Sequence, residues 1–119
     1  MSAAITEGGG TGSGNYSLWS WGNNNVGQLA DGTTTTRSSP VQIGTLTDWT
    51  PNIVPSFNAI FAIKKDGTLW TWGTNSGGSL GLGDSVDRSS PVQVGTESDW
   101  YYVGRGQGVG YAINTSGEL

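Results

Sequence analysis

The chain has 119 residues, 34% hydrophobic and 12% charged, with a net charge of −4, 21 Gly and 28 Ser plus Thr; a single small domain of this kind builds a core only if its apolar residues are well patterned. Its five basic residues, Arg37, Lys64, Lys65, Arg88 and Arg105, are scattered, so no cluster tracks a phosphate backbone and nucleic acid is not an expected partner. The absence of Cys excludes disulfides and thiolate metal sites, and the absence of His removes the commonest general base and zinc ligand.

The N-terminal Met1–Glu7 has neither a basic n-region nor an apolar h-region, and no stretch approaches the ~20 apolar residues of a membrane helix. We therefore expect a soluble chain without a membrane partner, in a compartment left open. Gly8–Gly14 has linker composition, so residues 1–14 are expected to be a flexible Gly-rich tail. Leu18–Gly22 begins the patterned part, and Asn23–Thr36 is Gly/Asn/Thr-rich and reads as a loop. Ser-Ser-Pro then opens a short strand at Val41–Ile43, with a further strand near Asn52–Val54. Ala59–Lys64, the turn signal Asp66-Gly67 and Thr68–Trp72 read as a β-hairpin. A second loop at Thr74–Asp87 and strands at Val92–Val94 and Tyr101–Val103 complete the succession.

That succession is a repeat. Leu18-Trp19-Ser20-Trp21-Gly22 returns as Leu69-Trp70-Thr71-Trp72-Gly73, Arg37–Gly44 as Arg88–Gly95, and Asp48-Trp49 as Asp99-Trp100, all 51 residues apart. Leu18–Trp49 matches its shifted copy at 18 of 32 positions, far beyond what composition produces. Farther on the match slips by one, with Phe61-Ala62-Ile63 opposite Tyr111-Ala112-Ile113. Four short strands per period is the arithmetic of a propeller blade. The expected fold is all-β, with propeller blades of four antiparallel strands in two units, 18–68 and 69–119. Trp19, Trp21, Trp49, Trp70, Trp72 and Trp100 fall in repeat-equivalent pairs and are expected to anchor the packing between blades. Trp70 is placed at the junction of the two units, where truncation to Ala should unfold the chain.

The run Leu69-Trp70-Thr71-Trp72-Gly73, then Asn75, Gly78, Leu80-Gly81 and Gly83-Asp84, then Ser90–Val94, resembles the RCC1-like repeat. The first unit resembles it through Gly22, Asn24, Gly27, Gln28, Leu29 and Gly32, with Ala30 where Gly is usual. The resemblance implies a propeller, and the family's best-known activity is guanine-nucleotide exchange with chromatin binding. Ala59 and Val109 stand where family members often carry His, and there is no basic face, so exchange activity is the least favoured reading. The style of Thr33–Thr36 and the RSSPVQ runs is similar to bacterial and phage repeats, which implies binding or structural modules.

Two units leave long edges and Trp faces uncovered. Either further copies close a ring, about three chains together, or the chain is a piece of a longer polypeptide.

Chemistry is sparse. Asp31, Asp48, Asp66, Asp84, Asp87 and Asp99 form no calcium-loop pattern. Gly104, Gly106, Gly108 and Gly110 alternate as in a tightly packed strand rather than a phosphate loop. Ser and Thr lack a neighbouring base. The sequence thus reads as a non-enzyme without cofactor or metal. Candidate binding residues lie in the two loops: Asn23, Asn24, Asn25, Thr34 and Thr35 in the first, Asn75, Ser76, Ser79 and Asp87 in the second. The expected function is a protein-interaction or assembly module, of bacterial or phage surface or virion kind, with a glycan-binding propeller as the alternative.

Overall fold

A computed structural model describes residues 2–7, 16–44, 47–56, 58–106 and 109–115. It is all-β: β1 (Ser2–Glu7), β2 (Tyr16–Gly22), β3 (Arg37–Gln42), β4 (Trp49–Ser56), β5 (Ala59–Lys64), β6 (Leu69–Gly73), β7 (Arg88–Gln93), β8 (Trp100–Gly106) and β9 (Val109–Asn114), with one 3-10 turn at Ser76–Gly78. All ladders are antiparallel. One path runs β1-β2-β4-β5-β6-β7 with β3 added to β2, and β8 pairs with β9.

The strands repeat with the sequence. β5 lies on β6 with Ile60 opposite Trp72 and Ile63 opposite Leu69, and β1 lies on β2 with Ser2 opposite Trp21 and Ile5 opposite Leu18. The pairs β2–β3 and β6–β7 match residue for residue, including the register shift at Ser20/Gly22 and Thr71/Gly73. Likewise β4–β5 and β8–β9 form equivalent hairpins. Among the described residues β4–β5–β6–β7 makes one run of four antiparallel strands, β1–β2–β3 and β8–β9 repeat parts of it, and β9 stands to β8 as β5 stands to β4.

One expectation needs correction. The tail foreseen over residues 1–14 is not what residues 2–7 form: Ser-Ala-Ala-Ile-Thr-Glu pairs with residues 16–21 of β2 as β1. An edge backbone on β2 has ladder partners to gain, and a Gly-rich stretch after it does not remove that gain. Residues 8–14, the Gly-rich stretch, lie outside the described residues, as do Gly108 and residues 116–119. The division of the rest into 18–68 and 69–119 stays an expectation.

Two clusters form the core. Leu18, Ala30, Ile43, Trp49, Ile60 and Ala62 of the first unit pack with Trp72 of the second. Phe61, Ile63, Leu69 and Val103 form the other, bordered by Val94, Trp100 and Ala112. Trp72, rather than Trp70, is the junction residue. Its ring stands edge-on to Trp49 at 5.7 Å and 69°, and its indole N–H donates to the Gln28 carbonyl at 3.0 Å. Trp70 is half-buried; its N–H donates to Thr68 Oγ1 at 2.7 Å, and the Lys64 ammonium lies 4.2 Å from its ring centroid.

Candidate functional site

The two loops are built around one side chain each. Asn24 and Asn75 are both fully buried, at 0% exposure. Asn24 Nδ2 donates to the Thr33 and Thr35 carbonyls at 3.0 Å each, and its Oδ1 accepts the Leu29 N–H at 2.9 Å. Asn75 repeats this 51 residues on: Nδ2 donates to the Asp84 and Val86 carbonyls at 3.0 Å each, and Oδ1 accepts the Leu80 N–H at 2.9 Å. A primary amide has two donors and an acceptor with two lone pairs, so one residue staples both flanks of an irregular loop whose backbone has no ladder.

Both loops are closed by an ion pair. Arg37 Nε meets Asp31 at 2.9 Å and an Arg88 guanidinium nitrogen meets Asp84 at 2.8 Å. Burial alone would raise the Asp31 carboxyl, but the Thr33 hydroxyl and N–H, Arg37 and Asn24 outweigh it and hold it below 3.8. Asp84 is held low by Arg88, then by the Val86 N–H. Asp66, at the β5–β6 turn, is held low by the Thr68 hydroxyl and N–H. These carboxylates order loops and turns; among the described residues no group of three or more acidic side chains gathers to hold a metal ion.

The candidate binding residues divide accordingly. Asn24 and Asn75 point inward and are unavailable to a ligand. Asn23 and Asn25 are exposed but bonded within their own loop, Asn23 Oδ1 accepting the Asn25 N–H and Asn25 Oδ1 accepting from Gln28 Nε2, each at 3.3 Å. Asp87 accepts the Asn75 N–H at 2.8 Å, and Ser79 Oγ lies 3.4 Å from the Thr74 carbonyl. Thr34, Thr35 and Ser76 remain as exposed surface. The loops are also not alike in their surroundings. The first packs on the second unit: the Gly32 N–H donates to the Ser89 carbonyl at 2.8 Å, and the Gln28 carbonyl accepts the Trp72 indole N–H at 3.0 Å. It is a junction, not an open rim.

The feature that loop-based reasoning missed is the β8–β9 hairpin. Tyr101, Tyr102, Tyr111 and Ile113 are exposed by 68, 54, 58 and 41%. Tyr102 pairs with Ile113 and Gly104 with Tyr111, so Tyr102, Tyr111 and Ile113 share one face. The repeat equivalents of Tyr111 and Ile113 are Phe61 and Ile63, which are buried by the β8–β9 hairpin itself. The one-residue slip in the repeat, which sets Phe61-Ala62-Ile63 opposite Tyr111-Ala112-Ile113, is the sequence signal for it. Beside the hairpin opens a cavity of about 320 Å³ lined by Leu69, Leu80, Gly81, Val94, Trp100 and Ala112, among others.

Repeated antiparallel strands arranged as partial blades, packed at one junction through Trp49 and Trp72 and carrying amide-stapled loops, define a β-propeller repeat protein. The family model described as the Regulator of chromosome condensation (RCC1) repeat matches residues 17–54 and 66–112. The chain belongs to the RCC1 repeat family. It is similar to the ultraviolet-B receptor UVR8 of Arabidopsis thaliana, 32% identical over 75 residues, covering 62% of this chain and 17% of that protein. It is also similar to human Protein RCC2, 35% identical over 79 residues, 65% of this chain and 15% of that one, and to the human probable E3 ubiquitin-protein ligase HERC3, 36% identical over 79 residues, 65% of this chain and 8% of that one. Among solved structures human WBSCR16 superposes with a TM-score of 0.63 at 20% identity, covering 97% of this chain and 29% of that one. The chain thus spans less than a third of each of these proteins, and the structural likeness speaks for the fold alone.

Proposed function

We propose that the chain is a non-catalytic module for protein interaction and assembly, made of RCC1-type blades. One observation carries the reading: exposed Tyr111 and Ile113 repeat Phe61 and Ile63, a surface that the chain itself buries against its next hairpin. A tyrosine-rich, weakly charged face of this kind suits a protein partner, because aromatic side chains bring large area at small entropic cost. The partner is another protein or further copies of the chain, in a ring of about three. The repeat style favours a bacterial or phage surface or virion assembly, whereas the relatives matched are plant and animal proteins. Sedimentation velocity across a concentration series tests the reading. Tyr102→Lys with Tyr111→Lys should weaken association by about tenfold or more with unchanged thermal unfolding. Association unaffected by this pair, or a chain that stays monomeric and is retained only on a glycan array, would replace the reading.

A further inference from the structure

Two of the five basic side chains, 27 residues apart in sequence, meet at one cavity. It measures about 420 Å³ and is lined from the first loop and β3, from the start of β4, from the end of β5 and from β7, with Asp31, Arg37, Val41, Asp48, Lys64 and Pro91 among its walls. Its lining runs from Ala30 to Pro91, so it is a crevice between the two repeat units, closed on both sides by segments far from either end of the sequence. Its volume lies within the roughly 300–1,000 Å³ range of small-ligand pockets.

The four charges in its walls are unequally used. Both Asp31 oxygens are engaged: Oδ1 accepts from Asn24 Nδ2, the Thr33 N–H and the Thr33 hydroxyl, and Oδ2 accepts from Arg37 Nε. Arg37 has five N–H groups and among the described residues directs them only to Asp31 and Thr33. The Lys64 ammonium lies 3.5 Å from Asp48 Oδ2, the longest of the three ion pairs among the described residues. It otherwise stands 4.9 Å from the Trp49 ring centroid and 4.2 Å from that of Trp70, faces that attract its charge but offer its donors no oxygen. Asp48 is 38% exposed, and its Oδ1 accepts no hydrogen bond among the described residues. The crevice therefore offers spare donors at Arg37 and Lys64, spare acceptor capacity at Asp48 and no net charge. The repeat does not demand this arrangement, because Asn114 stands opposite Lys64 in the second unit.

We propose that this crevice binds a small zwitterion of amino-acid type, with its carboxylate held by Arg37 and Lys64, its ammonium by Asp48 and its apolar side chain by Val41 and Pro91. A zwitterion matches walls that carry both signs and no net charge, whereas a simple anion meets Asp48 and a simple cation meets Arg37 and Lys64. Lys64 is only 14% exposed, so much of the desolvation that a carboxylate partner would require of it has already been met in folding. The site uses no residue of the tyrosine face and is independent of the assembly reading.

Isothermal titration calorimetry on the whole chain with L-phenylalanine, L-phenylalaninamide and N-acetyl-L-phenylalanine tests the site, since the amide lacks the carboxylate and the N-acetyl derivative lacks the ammonium. Saturable binding of the free amino acid, at least about tenfold tighter than either derivative, is the expected result. Lys64→Met keeps an unbranched side chain between the two rings and should weaken the free amino acid and the N-acetyl derivative while leaving the amide unaffected. Asp48→Asn should lower the free amino acid to the level of its N-acetyl derivative, a change of selectivity that a general loss of structure does not produce. Val41→Trp fills the crevice without removing a charge and should abolish binding of all three, with thermal unfolding confirming a folded chain. A parent chain that gives no saturable heat with L-phenylalanine, derivatives that bind as tightly as the free amino acid, or a selectivity indifferent to Asp48→Asn overturns the site and leaves the assembly reading untouched.

Discussion

Asn24 and Asn75 show how one side chain replaces a missing ladder. Each is wholly buried and bonded on both sides of its loop, so truncation strands several backbone groups at once. Asn75→Ala should lower stability by about 2–3 kcal/mol, while exposed Thr34→Ala should cost under about 0.5 kcal/mol; urea titration with an unchanged slope separates the two. The carboxylates bear on pH in one direction. Asp31, Asp66 and Asp84 all titrate below 3.8 in the folded chain, so the folded state binds fewer protons than the unfolded state in that range. Their contribution is fully present above 3.8 and is lost as pH falls through their lower native values. Thermal unfolding should be flat down to about pH 5 and fall below pH 4, and Asp31→Asn should shallow that fall. A midpoint as steep in Asp31→Asn as in the parent would remove Asp31 from the account. The residue scale was only partly legible in sequence. An Asn-rich loop reads as free hydrogen-bonding surface, and nothing in composition separates the stapling Asn24 from its exposed neighbours Asn23 and Asn25; only the recurrence of Asn at positions 24 and 75 marks it.

At the scale of elements, repeat-equivalent glycines reveal where loops touch. Gly27 and Gly78 both have positive φ, 78° and 74°, so either substitution by Ala incurs a left-handed penalty of about 1–2 kcal/mol. A Cβ on Gly27 would also lie 2.6 Å from Ser89 Cα and Cβ on β7, whereas on Gly78 its nearest neighbour is the Asp84 carbonyl oxygen at 3.6 Å. Gly27→Ala should therefore cost about 1–3 kcal/mol more than Gly78→Ala, and paired denaturant titrations measure that difference as the strength of the loop–blade contact. Equal costs would mean that the first loop can leave the second unit freely. Hairpins and loops were readable because turn residues and alternation mark them locally. β1 was not, because the Gly-rich residues 8–15 separate it from β2, where the short turn 65–68 with its Asp66-Gly67 signal separates β5 from β6. The junction role of Trp72 was also hidden: alternation puts Trp70 and Trp72 on one face of β6, and only the folded position of the loop carrying Gln28 distinguishes them.

For the whole molecule the decisive contrast is between Trp49 and Trp100, identical in sequence setting and unequal in environment. Both follow Asp and both start a strand, β4 and β8. Trp49 is buried against Trp72 from the next strand pair, while Trp100 borders the open cavity, and its indole nitrogen is buried without a hydrogen bond among the described residues. A repeat protein gains stability from each interface that its neighbours complete, so the same residue should be worth different amounts at its two positions. In the dilute monomer Trp49→Ala should cost about 3–5 kcal/mol, the ordinary cost of deleting a buried aromatic ring, and Trp100→Ala about 1–2 kcal/mol, since part of its surround is already empty. Occupation of the cavity by an associating surface would erase the difference, because Trp100 would then have a neighbour as Trp49 has. Measuring both substitutions at low and at high protein concentration thus reads the state of the cavity beside Trp100 directly: a gap that closes with concentration places an associating surface against Trp100, and a gap that stays constant places the contact elsewhere.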